Sequence, residues 1–146
     1  MEPFPNTEMC YVCGRANVAG MHLDFFSDGQ TVQTEFEALP EHQGYNHLLH
    51  GGILTSVFDD VLFRVGWMMG LKTITGRLEV WFRKPVSIGE TVRVVGRLDH
   101  QRGRWLHVKG EAFLQDGTLA AEANGSFAVL AGPSFGRGVQ LNTPTE

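Results

Sequence analysis

The chain has 146 residues, 42% of them hydrophobic, and a formal net charge of −4. That length and apolar content suit one globular domain, expected over 1–146, and no cluster of Lys and Arg is present to hold a nucleic acid or an anionic membrane. The Met-Glu-Pro-Phe-Pro start lacks the basic and apolar regions of a secretory signal, and the longest apolar stretch carries Asp59, Asp60 and Arg64, too polar for a bilayer span; a cytoplasmic protein is expected.

In chain order, residues 1–20 read as a lead-in. Cys10-x-x-Cys13 within it has a spacing found in zinc sites, yet the chain has no other cysteine and no His at clear ligand spacing, so an ordinary turn and no metal are expected. Met21 to Phe26 predicts a strand, Ser27-Asp28-Gly29 a turn, and Thr31 to Ala38 an alternating strand. A loop runs from Leu39 to Leu49. A helix follows from Gly51 to about Met69, with Gly70 as its C′ residue. Four further strands are predicted over Thr73–Phe82, Thr91–Gln101, Arg104–Gln115 and Leu119–Leu130, parted by Ser87-Ile88-Gly89-Glu90, Arg102-Gly103 and Asp116-Gly117. The order is β-β-α-β-β-β-β, an α+β class. Short connections favour an antiparallel meander of the last four strands, with the helix on its concave face. Residues 132–146, rich in Gly and Pro, read as a loose tail.

At 100° per residue, Ile53, Leu54, Val57, Phe58, Val61, Leu62, Val65, Met68 and Met69 form one broad apolar face for the sheet. Asp60 projects off that face beside Arg64, one turn on, and an i,i+4 ion pair accounts for it. Asp59 has Thr55 and Phe63 one turn before and after it, with Gly66 on the same side, so its side reads as a contact face. His22, His42, His47, His100 and His107 read as surface or loop histidines. Trp67, Trp81 and Trp105 read as core or interface area.

The helix opens on His50-Gly51-Gly52. Two glycines let another molecule approach the backbone, and the N–H groups there, with the positive end of the helix dipole, suit a developing oxyanion. A carboxylate further along the same helix supplies a base or nucleophile. Together these point to acyl-thioester chemistry.

From Cys10 to Leu130 the chain resembles the hotdog-fold thioesterases of the PaaI/4HBT type, which include THEM-like acyl-CoA thioesterases. The resemblance rests on the element order, on His50-Gly51-Gly52 with Asp59 nine positions after His50, and on Phe82-Arg83-Lys84-Pro85-Val86-Ser87-Ile88-Gly89-Glu90. The Cys10-Tyr11-Val12-Cys13-Gly14 start, with Asn17, Gly20 and Leu23, is similar to the lead-in of one bacterial branch. The resemblance implies an antiparallel sheet of about six strands wrapped around one long helix, with Asp59 as catalytic carboxylate. It implies Gly51 as the N–H donor to the thioester carbonyl, His50 as the motif histidine and Thr75 as the group that helps place the attacking water. An Asn or Gln that some relatives carry six positions before the His is Gly44 here, with Asn46 or Gln43 as substitutes.

Helix geometry adds a constraint. Gly51 and Asp59 stand about 12 Å apart along one axis at 1.5 Å rise per residue, whereas a donor and a base must each lie within about 3 Å of the reacting atoms. If both act, each site pairs Gly51 of one subunit with Asp59 of another, in a homodimer or a homotetramer built as a dimer of dimers.

The expected function is hydrolysis of acyl-CoA to free acid and CoA, without a cofactor. Expected substrate contacts are Gly52, Asn46 and Phe63, with Arg83, Lys84, Arg102 and Arg104 for the CoA phosphates. The acyl group, aryl or fatty, is not encoded by a readable motif. The rivals are a hotdog hydratase or dehydratase, which places its His–carboxylate pair differently along the helix, and a non-catalytic acyl-CoA-binding domain, motivated by Gly44.

Overall fold

A computed structural model describes residues 7–131; the tail expected over 132–146 lies outside the described residues. In chain order the elements are β1 (Phe26–Ser27), β2 (Thr31–Glu37), a 3-10 turn (Pro40–His42), α1 (Gly51–Met68), β3 (Lys72–Phe82), β4 (Thr91–Arg102), β5 (Trp105–Leu114) and β6 (Leu119–Ala131). The six strands form one antiparallel sheet in the order β1-β2-β4-β5-β6-β3, and α1 contacts β2 to β6. This is the expected hotdog arrangement.

Two expectations need correcting. The last four strands are not a simple meander: β4, β5 and β6 are, but β3 pairs with β6 at the far edge while β2 takes the near side of β4, matching Phe36 with Val92 and Thr34 with Val94. The β3–β4 connection must therefore cross the sheet. It is held on the way by Leu49 N–H to Val86 O (2.8 Å), Ile88 N–H to His47 O (2.9 Å) and Gly89 N–H to Ala38 O (2.7 Å), which carries it past the start of α1.

The first strand is also shorter than Met21–Phe26. His22 sits at φ 54, outside the extended region, and its Nε2 bonds Asn17 O at 2.6 Å. Met21 and Leu23 instead donate to Tyr11 O and Val12 O, both at 2.8 Å. The segment thus pairs with the lead-in before it reaches the sheet, and Val12 is buried.

Leu54, Val57, Phe58, Val61, Leu62, Val65 and Gly66 are the buried residues of α1, so the apolar face lies on the sheet as its period requires. Close approach is possible because Gly96, Gly110 and Gly125 lie beneath it. A Cβ on Gly110 would stand 3.0 Å from both Leu62 Cδ2 and Phe58 Cδ1, and one on Gly96 would stand 2.9 Å from Val61 Cγ1. Any side chain there would lift the helix off the sheet. Gly66, seven residues and two turns after Asp59, lies on the same side of the helix as expected and packs against Thr73 and Leu106. The helix ends as expected, with Gly70 at φ 77 donating to Trp67 O and Leu71 N–H reaching Gly66 O, a Schellman motif.

Candidate active site

The helix start is built by His50. It is the N-cap, in extended backbone, and its Nδ1 accepts the Gly52 N–H at 2.8 Å. This fixes the Nδ1 side as the acceptor and leaves Nε2 as the site of the ring proton. A Cβ on Gly52 would meet the imidazole at 2.9 Å, so only glycine at 52 lets this histidine cap the helix. The Gly52 N–H is therefore committed to His50. Gly51 at N1 is the position whose N–H has no carbonyl available within the helix, and it lies at the positive end of the dipole.

Gly51 faces a cleft of about 250 Å³ lined by Leu49, His50, Leu54, Phe82 and Arg83-Lys84-Pro85-Val86. The crossing β3–β4 connection is its outer wall. Arg83 is turned to Glu122, its Nε and one terminal nitrogen at 3.0 and 2.9 Å from Oε2, so Lys84 is the cleft cation less engaged by this network. Asn46 is outside the cleft lining. Gln43 is taken up by the loop, accepting from His47 N–H at 2.6 Å and donating to Pro40 O at 2.7 Å. Gly44 packs against His50: a Cβ there would lie 3.3 Å from the His50 Cα. Phe63 is partly buried against the core.

The middle of α1 forms a second cluster. Thr75 Oγ1 donates to Asp59 Oδ1 at 2.9 Å. Thr75 stands at an irregularity of the β3–β6 register between Thr75 and Arg77, which re-aims the chain there. A Cβ on the intervening Gly76 would lie 2.6 Å from the Trp105 ring. Around this ring Gly76, Arg77, Arg102, His107 and Ser126 enclose a groove of about 490 Å³, and Arg102 and Arg104 are exposed at the β4–β5 turn. The sheet register separates these from the first cluster: Trp105 is level with Ala128 and Ile74, whereas Phe82 is level with Ala121. Gly51, Phe82 and Lys84 thus belong to one end of β3, and Asp59, Thr75 and Arg102 to the other.

Two neighbouring readings change. His42 is not a surface residue but buried, its Nδ1 accepting the Leu39 N–H at 3.0 Å. Asp60 pairs with Arg64 as expected, at 3.6 Å, but the pair is no surface bridge: the side chains are 14% and 11% exposed. Burial raises the Asp60 carboxyl above its ordinary range, against the pull of Arg64. The Arg64 guanidinium also lies 4.0 Å over the Phe25 ring. What covers this pair is the lead-in, which the helix pattern alone does not register.

Residues 46–121, just over half of the chain, match the thioesterase superfamily, 4HBT. The bovine acyl-coenzyme A thioesterase THEM4 is 32% identical over 96 residues, 65% of this chain; the match spans 39% of that protein's length. A Streptococcus mutans protein solved bound to acetyl CoA superposes with a TM-score of 0.70 at 22% identity, over 75% of this chain and 89% of that one. The Escherichia coli PaaI protein of the phenylacetic acid degradation operon does so with a TM-score of 0.70 at 20% identity, over 75% and 80%. The chain belongs to the thioesterase superfamily and has its hotdog fold.

Proposed function

We propose that this chain is an acyl-CoA thioesterase whose site is shared between two subunits. The observation that carries the reading is the 2.9 Å bond from Thr75 to Asp59: it orients one carboxylate oxygen and leaves the other to take a proton. Water held there attacks the thioester carbonyl carbon and gives its proton to Asp59. The carbonyl oxygen, becoming an oxyanion, accepts from the Gly51 N–H at the helix start. The tetrahedral intermediate collapses by breaking the carbon–sulfur bond, and the departing CoA thiolate takes up the proton. His50 acts as a positioning residue, holding the Gly52 N–H so that Gly51 presents the donor. Acyl-CoA is the substrate named by the bovine relative, and the S. mutans neighbour holds acetyl CoA. A cytoplasmic setting accords with the free thiols of Cys10 and Cys13.

The two ends of β3 supply the argument for two subunits. Among the described residues β3 pairs on one side only, with β6, and it exposes Ile74, Trp81 and Phe82. An edge of eleven residues with such side chains is suited to pairing with another strand. An antiparallel pairing with a second copy, centred between Leu78 and Glu79, would bring Thr75 of one copy level with Phe82 of the other. That sets Asp59 of one helix toward Gly51 of the other and forms two equivalent sites.

Thiol release from a panel of aryl, short-chain and long-chain acyl-CoAs tests the activity. The expected result is stoichiometric free acid and CoA from at least one class, with no hydrated acyl-CoA. Hydration without thiol release would identify the hydratase, and tight binding with neither product would identify a binding domain.

A further inference from the structure

The lead-in turn and the outer face of α1 meet in a cluster that the thioesterase reading leaves unused. The ligand atoms of Cys10, Cys13 and Asp60 all lie within 4.8 Å of one another, with Cys10 Sγ 4.0 Å from Asp60 Oδ2. We propose that Cys10, Cys13 and Asp60 form a zinc site that fastens the lead-in to α1. Tetrahedral zinc with bonds of about 2.0–2.3 Å sets its ligand atoms about 3.5–3.7 Å apart, so side-chain rotations of about 1 Å close the cluster on an ion.

Four features of the molecule support this assignment. Cys-x-x-Cys spacing is that of one half of many zinc sites, and the fold brings in the carboxylate across fifty residues of chain. The turn that puts both thiols on one side is tight. Gly14 donates to Cys10 O at 2.8 Å, and a Cβ at 14 would stand 2.4 Å from Glu8 O and 2.5 Å from Cys10 N, so only glycine completes it. The donor set, two thiolates and one carboxylate, matches zinc in softness and leaves a fourth position for water. Charge also balances: a dication with three anionic ligands leaves one negative charge, and the Arg64 guanidinium beside Asp60 offsets it.

A bound dication replaces the thiol protons, which leave to solvent.

The test uses the full chain, reduced and stripped with a chelator, then titrated with Co²⁺ or Zn²⁺ alone. The expected result is uptake of one ion per chain, a near-ultraviolet thiolate-to-Co²⁺ charge-transfer band, and a rise in Tm on adding Zn²⁺. The Cys10→Ser/Cys13→Ser variant should lose the band and the rise in Tm. Asp60→Asn should weaken binding, and Arg64→Gln should weaken it by about 10–100-fold, as loss of an outer partner does. Absence of the charge-transfer band in reduced wild type would overturn the proposal without reference to any variant. So would uptake equal to that of the double cysteine variant, unchanged affinity in Asp60→Asn, or a Cys10–Cys13 disulfide in protein kept under reducing conditions.

Discussion

The start and the middle of α1 do opposite things with the same backbone. At Gly51 the helix offers a bare N–H, the positive end of its dipole and a cleft walled by Phe82 and Lys84; at Asp59 it offers an anionic oxygen held by Thr75. The first suits a developing negative charge, the second a proton. Eight helical residues separate the two by about 12 Å, too far for one thioester. Under the proposed reading, one chain carries both groups and a complete site needs two chains.

The largest effect should come from the anionic end. Asp59→Asn keeps volume and removes the proton acceptor, so kcat should fall by at least about a hundredfold with Tm and oligomeric state unchanged. Near-native turnover in a folded variant would remove Asp59 from the mechanism. Next, Thr75→Val breaks the bond that orients the carboxylate; kcat should fall about tenfold, or ~1.4 kcal/mol, and Thr75→Ser should recover most of it. A loss in Thr75→Ser with none in Thr75→Val would mean that the methyl packing of Thr75, and not its hydroxyl, is what matters.

The cations sharpen the comparison further. By sheet register Arg102 and the adjoining turn residue Arg104 lie at the Thr75 end of β3, and Lys84 lines the cleft at the Gly51 end. Replacing Arg102 and Arg104 with Ala should raise KM for acyl-CoA at low salt by a few-fold while leaving kcat nearly intact, since phosphate contacts are uniform binding. If Lys84→Ala raises KM instead, the nucleotide lies at the helix-start end. The lead-in supplies a separate test at alkaline pH. In reduced, metal-free protein the folded Cys13 keeps its proton to about pH 12 against an ordinary 9.0. The stability it contributes is whole below pH 9 and is lost as pH rises from there toward 12. Urea denaturation across that window should show a decline that Cys13→Ser lacks.

What the sequence makes legible is what a few consecutive residues determine. Helix periodicity gives the buried face of α1, Gly70 its end, and Gly29, Gly89, Gly103 and Gly117 the turns, all with positive φ. The resemblance singles out Asp59 and Thr75 separately; their hydrogen bond, across sixteen residues, comes from the fold. Hidden features are non-local. The place of β3 beside β6 depends on which edge β2 occupies, and the burial of Asp60 depends on a turn fifty residues upstream. Gly96, Gly110 and Gly125 look like weak strand positions until the helix is laid over them. Gly52, expected to touch substrate, gives its N–H to His50; the signal for that bond is the cap position of a histidine able to accept a hydrogen bond.

The central claim is that Gly51 and Asp59 act across a subunit boundary, and subunit mixing tests it directly. Asp59→Asn lacks the base. Gly51→Pro lacks the donor, and proline is suited to N1 of a helix after an extended residue such as His50, at φ −65 and ψ 129. The Phe82 ring, 3.2 Å from a Cβ at 51, is 55% exposed and has room to yield. Each variant alone should be inactive. After dissociation and random reassociation, about half of the dimers are mixed and each has one site with an intact Gly51 and an intact Asp59, so activity should approach about one quarter of wild type. Folded, exchanging variants that stay inactive when mixed would contradict the shared site.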